Sequence, residues 1–160
     1  MKVTIVDRAF ERFTGSTGCA PGFVGQFNES EVLTRLAIDS VGEYLKIPGG
    51  FDPVGGLEVA TSEAGVEKLQ WRLEAAKEQG LKAEIISPEQ AAELAPDIIK
   101  PDNVLALHFP VDGTADGETI AAYFQSGPRT RGIEFLEAEV TKICRSNEIE
   151  GAVTTKNRRP

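Results

Sequence analysis

Three groups of residues have types and spacing suited to chemistry. Asp7 ends the β-branched run Val3-Thr4-Ile5-Val6. A carboxylate at the C-terminal end of a strand is where dinucleotide-binding folds hold the two hydroxyls of an adenosine ribose; an aspartate there also serves simply as a turn cap. The second group is Gly15-Ser16-Thr17-Gly18-Cys19-Ala20-Pro21-Gly22. Its glycines let backbone approach a flat ligand closely, and its hydroxyls and amide N–H groups reach phosphate or ring polar atoms. The third is His108, the only histidine. It reads either as a polar group near a substrate cavity or as a hydrogen-bonded histidine at a strand end. Cys19 and Cys144 make no C-x-x-C and no metal spacing, so no metal site is expected.

These residues need elements to hold them. Val3 to Val6 reads as a buried, parallel strand. Residues 8 to 27, with phenylalanines among glycines, read as a loop lying against something apolar. Asn28 with Glu31 has the spacing of a capping box. Leu33, Leu36, Ala37, Val41, Tyr44 and Leu45 then form one helical face, stopped by Pro48-Gly49-Gly50. Phe51 to Ala60 reads as a turn feeding a strand. Ser62 opens a second helix with Val66, Leu69, Leu73 and Ala76 inward, ending at Gly80. Trp71 lies off that stripe, at its rim. Lys82 to Ile86 is a strand, and Ser87-Pro88-Glu89-Gln90 starts a short helix. Val104 to Phe109 is a strand and 112 to 117 a turn. A helix from about Glu118 to Gln125 is interrupted by Gly127-Pro128. Strands at 133–136, 140–144 and 149–154 follow, with a hairpin turn at Arg145-Ser146-Asn147-Glu148. The alternation of strand and helix, with a β-rich middle and a closing meander, predicts an α/β fold.

Composition narrows the function classes. The 160 residues are 41% hydrophobic and 26% charged, as in a globular protein. The net charge of -8, from 25 acidic and 17 basic residues, repels phosphate backbones and argues against nucleic acid as a partner. The cationic tail Lys156-Asn157-Arg158-Arg159-Pro160 reads as a solvated end. No apolar stretch approaches the roughly 20 residues of a membrane helix, and the first apolar run is too short for a signal peptide. A reducing, cytoplasmic setting is expected from the two cysteines.

The residues 15–22 segment resembles the G-S-T-x-H-A-P-G segment of dimethylglycine and sarcosine oxidases and dehydrogenases, FAD-dependent amine oxidoreductases. Further matches follow in order: Val54-Gly55-Gly56-Leu57-Glu58-Val59-Ala60-Thr61, Ser87-Pro88-Glu89-Gln90, and Leu107-His108-Phe109-Pro110-Val111-Asp112-Gly113. The resemblance covers residues 3 to about 143. It implies an incomplete FAD-binding, Rossmann-like domain with part of a β-rich substrate domain inserted. The implied division is 1–48 in the FAD-binding domain, 49–111 in the substrate domain, and 112–160 back in the FAD-binding domain. It also implies FAD as cofactor, held by Asp7, Ser16, Thr17, Cys19, Ala20 and Gly22, and a small-molecule amine as substrate. The implied reaction is oxidative demethylation of an N-methylated glycine.

The departures from the family pattern carry expectations of their own. Cys19 stands where the family has the histidine that attaches covalently to the flavin. A thioether is one reading; a small buried residue beside non-covalent FAD is the other. No G-x-G-x-x-G occurs in the 160 residues, whereas in the family it precedes the strand at 3 to 6. The family's active-site histidine and tyrosine have no position here. The isolated chain is therefore expected to be inactive and not to retain FAD. The rival expectation is a truncated or split-gene piece that needs the remainder of the enzyme as partner. A glycine-oxidase-like or glycerol-phosphate-dehydrogenase-like flavoprotein is a weaker alternative, opposed by the matches at 54–61 and 107–113.

Overall fold

The computed structural model describes residues 2–11, 13, 15–100, 105–145 and 150–156. In chain order the elements are β1 (Thr4–Asp7), β2 (Phe23–Val24), α1 (Glu31–Tyr44), β3 (Phe51–Asp52), β4 (Gly56–Ala60), α2 (Glu63–Glu78), β5 (Glu84–Ile86), α3 (Pro88–Leu94), β6 (Leu105–Phe109), β7 (Gly113–Ala115), α4 (Gly117–Thr130), β8 (Glu134–Arg145) and β9 (Glu150–Lys156). They fall into two compact units, residues 1–21 with 117–160, and residues 22–116. The expected α/β class is what forms. The first helix lies within the 22–116 unit, and the unit boundaries fall elsewhere than the division at 48 and 111 that the resemblance implies.

In the unit of residues 1–21 and 117–160, β1 pairs in parallel with β8, Ile5 opposite Phe135 and Asp7 opposite Glu137. Parallel strands need a crossover between them, and α4 supplies its last leg. β8 continues past Ala138 to pair antiparallel with β9, giving the order β1-β8-β9 with a bulge between Val140 and Lys142. The strands expected at 133–136 and 140–144 are thus one bulged strand. The expected turn at Arg145-Ser146-Asn147-Glu148 extends outside the described residues. β1 is half-buried at Ile5 and Val6 rather than fully buried.

Helix α4 corrects the expected interruption at Pro128, because it runs on to Thr130. Proline removes one ladder hydrogen bond and strains the preceding turn. Nearby hydroxyls take up part of the local hydrogen bonding: Ser126 Oγ donates to the Tyr123 carbonyl at 2.6 Å and Thr130 Oγ1 to the Gly127 carbonyl at 2.8 Å. The Pro128 carbonyl accepts from Arg131 and Ile133 N–H, both at 3.1 Å, which closes the helix end.

The unit of residues 22–116 holds two three-stranded sheets, β2-β7-β3 and β4-β6-β5, antiparallel throughout. β2 and β7 lie where the sequence reads loop and turn. Both are too short to show a period, and pairing alone makes them strands. β6 is central to its sheet, and its Ala106, Leu107 and Phe109 are almost wholly buried. They pack with Leu69 and Ala76 of α2 and with Phe27 and Ala60 in one cluster, or with Ile86 and Ala91 in a second. The α2 stripe and its N-cap form as the spacing predicts, with Ser62 Oγ accepting from Gly65 N–H at 3.2 Å and Gly80 at φ 79°. The Ser87–Gln90 capping box is complete in both directions.

α1 departs from its pattern. Ser30, not Asn28, is the N-cap and makes no side-chain cap bond. Asn28 instead accepts Ser30 N–H on Oδ1 at 3.0 Å, and its own N–H donates to Thr34 Oγ1 at 2.9 Å. The inward face is consequently Thr34, Ile38 and Val41, while Leu33, Leu36 and Leu45 are exposed.

Candidate functional site

A cavity of about 460 Å³ opens in the unit of residues 1–21 and 117–160, at the C-terminal end of β1. Strand alternation puts Ile5 and Asp7 on the same face, and both line it. The segment after β1 contributes Arg8, Phe10 and Phe13, then Ser16 and Thr17. The far wall is Phe124, Gln125 and Pro128 of α4 with Phe135 of β8.

Aromatic contacts fix the apolar part. The rings of Phe10 and Phe135 meet edge to face at 5.0 Å and 74°. The Arg129 guanidinium lies 4.3 Å from the Phe135 ring centre, a cation–π contact. The polar part is held by backbone. Asp7 Oδ1 accepts Ala9 N–H at 3.1 Å, so the carboxylate does cap its own turn. Only one of its oxygens is used in that bond. The turn segment is closed by Cys19 N–H to the Gly15 carbonyl at 3.3 Å and Ala20 N–H to the Thr17 carbonyl at 3.4 Å. Gly18 is required there, because a Cβ at this position would run into the Phe13 carbonyl oxygen. A Cβ on Gly117, the first residue of α4, would come within 3.0 Å of the Thr17 carbonyl oxygen, so the segment sits close against the helix start.

The structure brings together Asp7, Ser16 and Thr17 of the residues picked from sequence. Cys19 and Ala20 belong to the same unit and are exposed, outside the cavity lining. The expectation of a small, buried Cys19 is therefore corrected: it is a free, exposed thiol. Gly22, at φ 85°, belongs to the other unit, where its carbonyl accepts Ala115 N–H at 2.7 Å beside β2. Gln125 and Phe124 were not legible as site residues, since only the fold brings a helix far along the chain to β1. His108 is the last residue but one of β6, with Nδ1 3.5 Å from Glu84 Oε1 of the neighbouring strand.

A carboxylate, two hydroxyls and aromatic walls are of a chemistry and a size that fit the adenosine half of FAD. No residue of this cavity offers the glycine loop and helix N-terminus that a pyrophosphate needs. Among the described residues, no helix is long and apolar enough to cross a membrane.

Comparison with known proteins agrees with this chemistry. Residues 1–159 match the family model described as DAO, FAD dependent oxidoreductase. The chain is similar to the mitochondrial dimethylglycine dehydrogenase of Rattus norvegicus, 26% identical over 140 residues, which are 83% of this chain and 16% of that protein. It thus spans a small part of that relative's length. Its fold is similar to L-proline dehydrogenase from P. horikoshii, at a TM-score of 0.85 and 25% identity over 97% of this chain and 43% of that one. L-alpha-glycerophosphate oxidase from Mycoplasma pneumoniae shares the fold at a TM-score of 0.81 and 17% identity, over 99% of this chain and 44% of that one. With the family model matching almost its whole length, the chain belongs to the FAD-dependent oxidoreductase (DAO) family.

Proposed function

We propose that this chain contributes the adenosine-binding part of a flavoenzyme that oxidises a small secondary or tertiary amine, an N-methylated glycine such as dimethylglycine or sarcosine. The observation that carries the reading is the position of Asp7, at the end of β1 and in the wall of a cavity it shares with Ser16 and Thr17. FAD, when bound, supplies hydride acceptance. The chain's own residues bind and orient. The Asp7 carboxylate accepts from ribose hydroxyls, the Phe10, Phe13 and Phe124 rings enclose the flat base, and Ser16 and Thr17 offer hydroxyls on the side where the chain turns away. Cys19, Ala20 and Gly22 continue toward the flavin side. Cys19 is exposed and lies outside the cavity lining, so FAD is read as held without a covalent bond.

The substrate role belongs to the β-rich stretch 49–111, and the amine class rests on the likeness to dimethylglycine dehydrogenase. The 160 residues hold no G-x-G-x-x-G, so the pyrophosphate needs partners that they do not supply, and the chain by itself is inactive. The experiment is an anaerobic titration of the natural polypeptide carrying this chain, with sarcosine, dimethylglycine and glycerol 3-phosphate. Bleaching of the flavin's visible band by an N-methylated glycine is expected. Bleaching by glycerol 3-phosphate, with none by any amine, refutes the reading.

A further inference from the structure

Asp112 is a buried carboxylate that the cofactor reading does not use. It is 4% exposed, in the turn between β6 and β7. Its Oδ1 accepts Gln26 N–H at 2.9 Å, and its own carbonyl accepts Gly55 N–H at 2.8 Å. Gln26 Nε2 reaches back to the Val111 carbonyl at 2.6 Å. Gly25 and Gly56 make room for the other oxygen: a Cβ on either would lie 3.5 or 3.0 Å from Oδ2. The side chain of Asp112 thus holds residues 23–27, through Gln26 N–H, while its backbone carbonyl holds Gly55 of the 54–56 stretch.

Among the described residues, no cation is paired with that carboxylate. Arg72 of α2 is committed to Glu58 of β4, Nε to Oε2 at 2.6 Å and Nη2 to Oε1 at 2.7 Å. His108 of β6 faces Glu84 of β5, and Asp52 of β3 is exposed. Residues 23–27 carry no charge. Burial is the main influence and raises the carboxyl above its ordinary range; the Gln26 N–H opposes it, Glu58 adds to it and His108 subtracts.

We propose that Asp112 is a proton-operated latch that fixes residues 23–27, the stretch directly following the glycine segment, against the β6–β7 turn. A neutral Asp112 keeps its carbonyl oxygen for Gln26 N–H at no cost in buried charge. The ionised form accepts Gln26 N–H more strongly, but its burial costs more than that bond returns, so it gains by swinging out to water and giving up Gln26. The latch is therefore closed at acid pH and loosens as pH rises. This goes beyond the cofactor reading and stands without it.

The test is hydrogen exchange on the 160-residue chain at a series of pH values, corrected for intrinsic rates. Protection of Gln26 N–H is expected to fall as pH rises, by up to about tenfold for each pH unit separating the closed and open carboxyl pKa values. Leu81 N–H, bonded to the Ala76 carbonyl at 2.9 Å, serves as the control that stays flat. Asp112→Asn keeps the acceptor but has no proton to lose, so its protection should not change with pH. Should that variant fail to fold, the ¹³C titration of the wild-type Asp112 carboxyl must share its midpoint with the change in Gln26 protection. Flat protection of Gln26 in the wild type, a slope that survives in Asp112→Asn, or midpoints that differ would each overturn the latch.

Discussion

Replacing Asp7 by asparagine separates the turn cap that this carboxylate makes from the ribose contact proposed for it. The Asn side-chain oxygen still accepts Ala9 N–H, as Asp7 Oδ1 does at 3.1 Å, so the turn after β1 survives. The second oxygen becomes an NH₂ group, which cannot accept from a ribose hydroxyl. A hydrogen bond to a charged group contributes about 1.5–3 kcal/mol, so adenosine binding should weaken roughly 10- to 150-fold. Asp7 is exposed, and stability should change by less than about 0.5 kcal/mol. The assay is an amide-shift titration with adenosine, run beside a urea melt. With 2′,3′-dideoxyadenosine, which lacks the diol, wild type and Asp7→Asn should bind equally. If Asp7→Asn binds adenosine as the wild type does, the carboxylate is a turn cap and nothing more. If instead its melt collapses, the cap is worth far more than the geometry allows.

The purified chain should be colourless, because one carboxylate at about 1.5–3 kcal/mol falls well short of the roughly 8 kcal/mol of micromolar affinity; stoichiometric flavin absorbance would contradict this. Asp112 makes stability pH-dependent. Its folded pKa is raised, so the folded state holds the proton more tightly; the gain is complete below the ordinary value of 3.8 and is lost as pH rises through the folded value. Urea melts across that window should show less of this slope in Asp112→Asn. Glu89 acts in the opposite sense, lowered chiefly by its bond with the Ser87 side chain, so its share is lost as pH falls. Leu107→Ala removes a fully buried side chain at the centre of β6 and should cost about 2–5 kcal/mol in the same melts, a loss below 1 kcal/mol meaning the site collapses freely.

What was legible in the sequence is what local chemistry decides. The Ser62 and Ser87 caps, the α2 stripe and the strand ending at Asp7 each depend on neighbours within a few residues, and they form where the spacing puts them. What the sequence hid depends on distant partners. Phe23–Val24 and Gly113–Ala115 become strands only by pairing with each other and with Phe51–Asp52. Asn28 loses its expected cap role because Thr34, an inward hydroxyl, engages its backbone. Pro128 reads as a breaker, yet the helix persists where Ser126 and Thr130 hydroxyls serve nearby carbonyls. The candidate site divides the same way. Asp7, Ser16 and Thr17 could be picked from their order in the chain, whereas Gln125 and Phe124 enter only through the β1–α4–β8 arrangement.

The most direct test of the central claim is an amide-shift map of FAD added to the ¹⁵N-labelled chain, compared with maps for adenosine and riboflavin. FAD and adenosine should both perturb Asp7, Ser16, Thr17 and Gln125, and riboflavin should leave them unmoved. Perturbations confined to residues 22–116, or a riboflavin map that reproduces the FAD map at Asp7, would contradict the assignment of this cavity to the adenosine half of the cofactor.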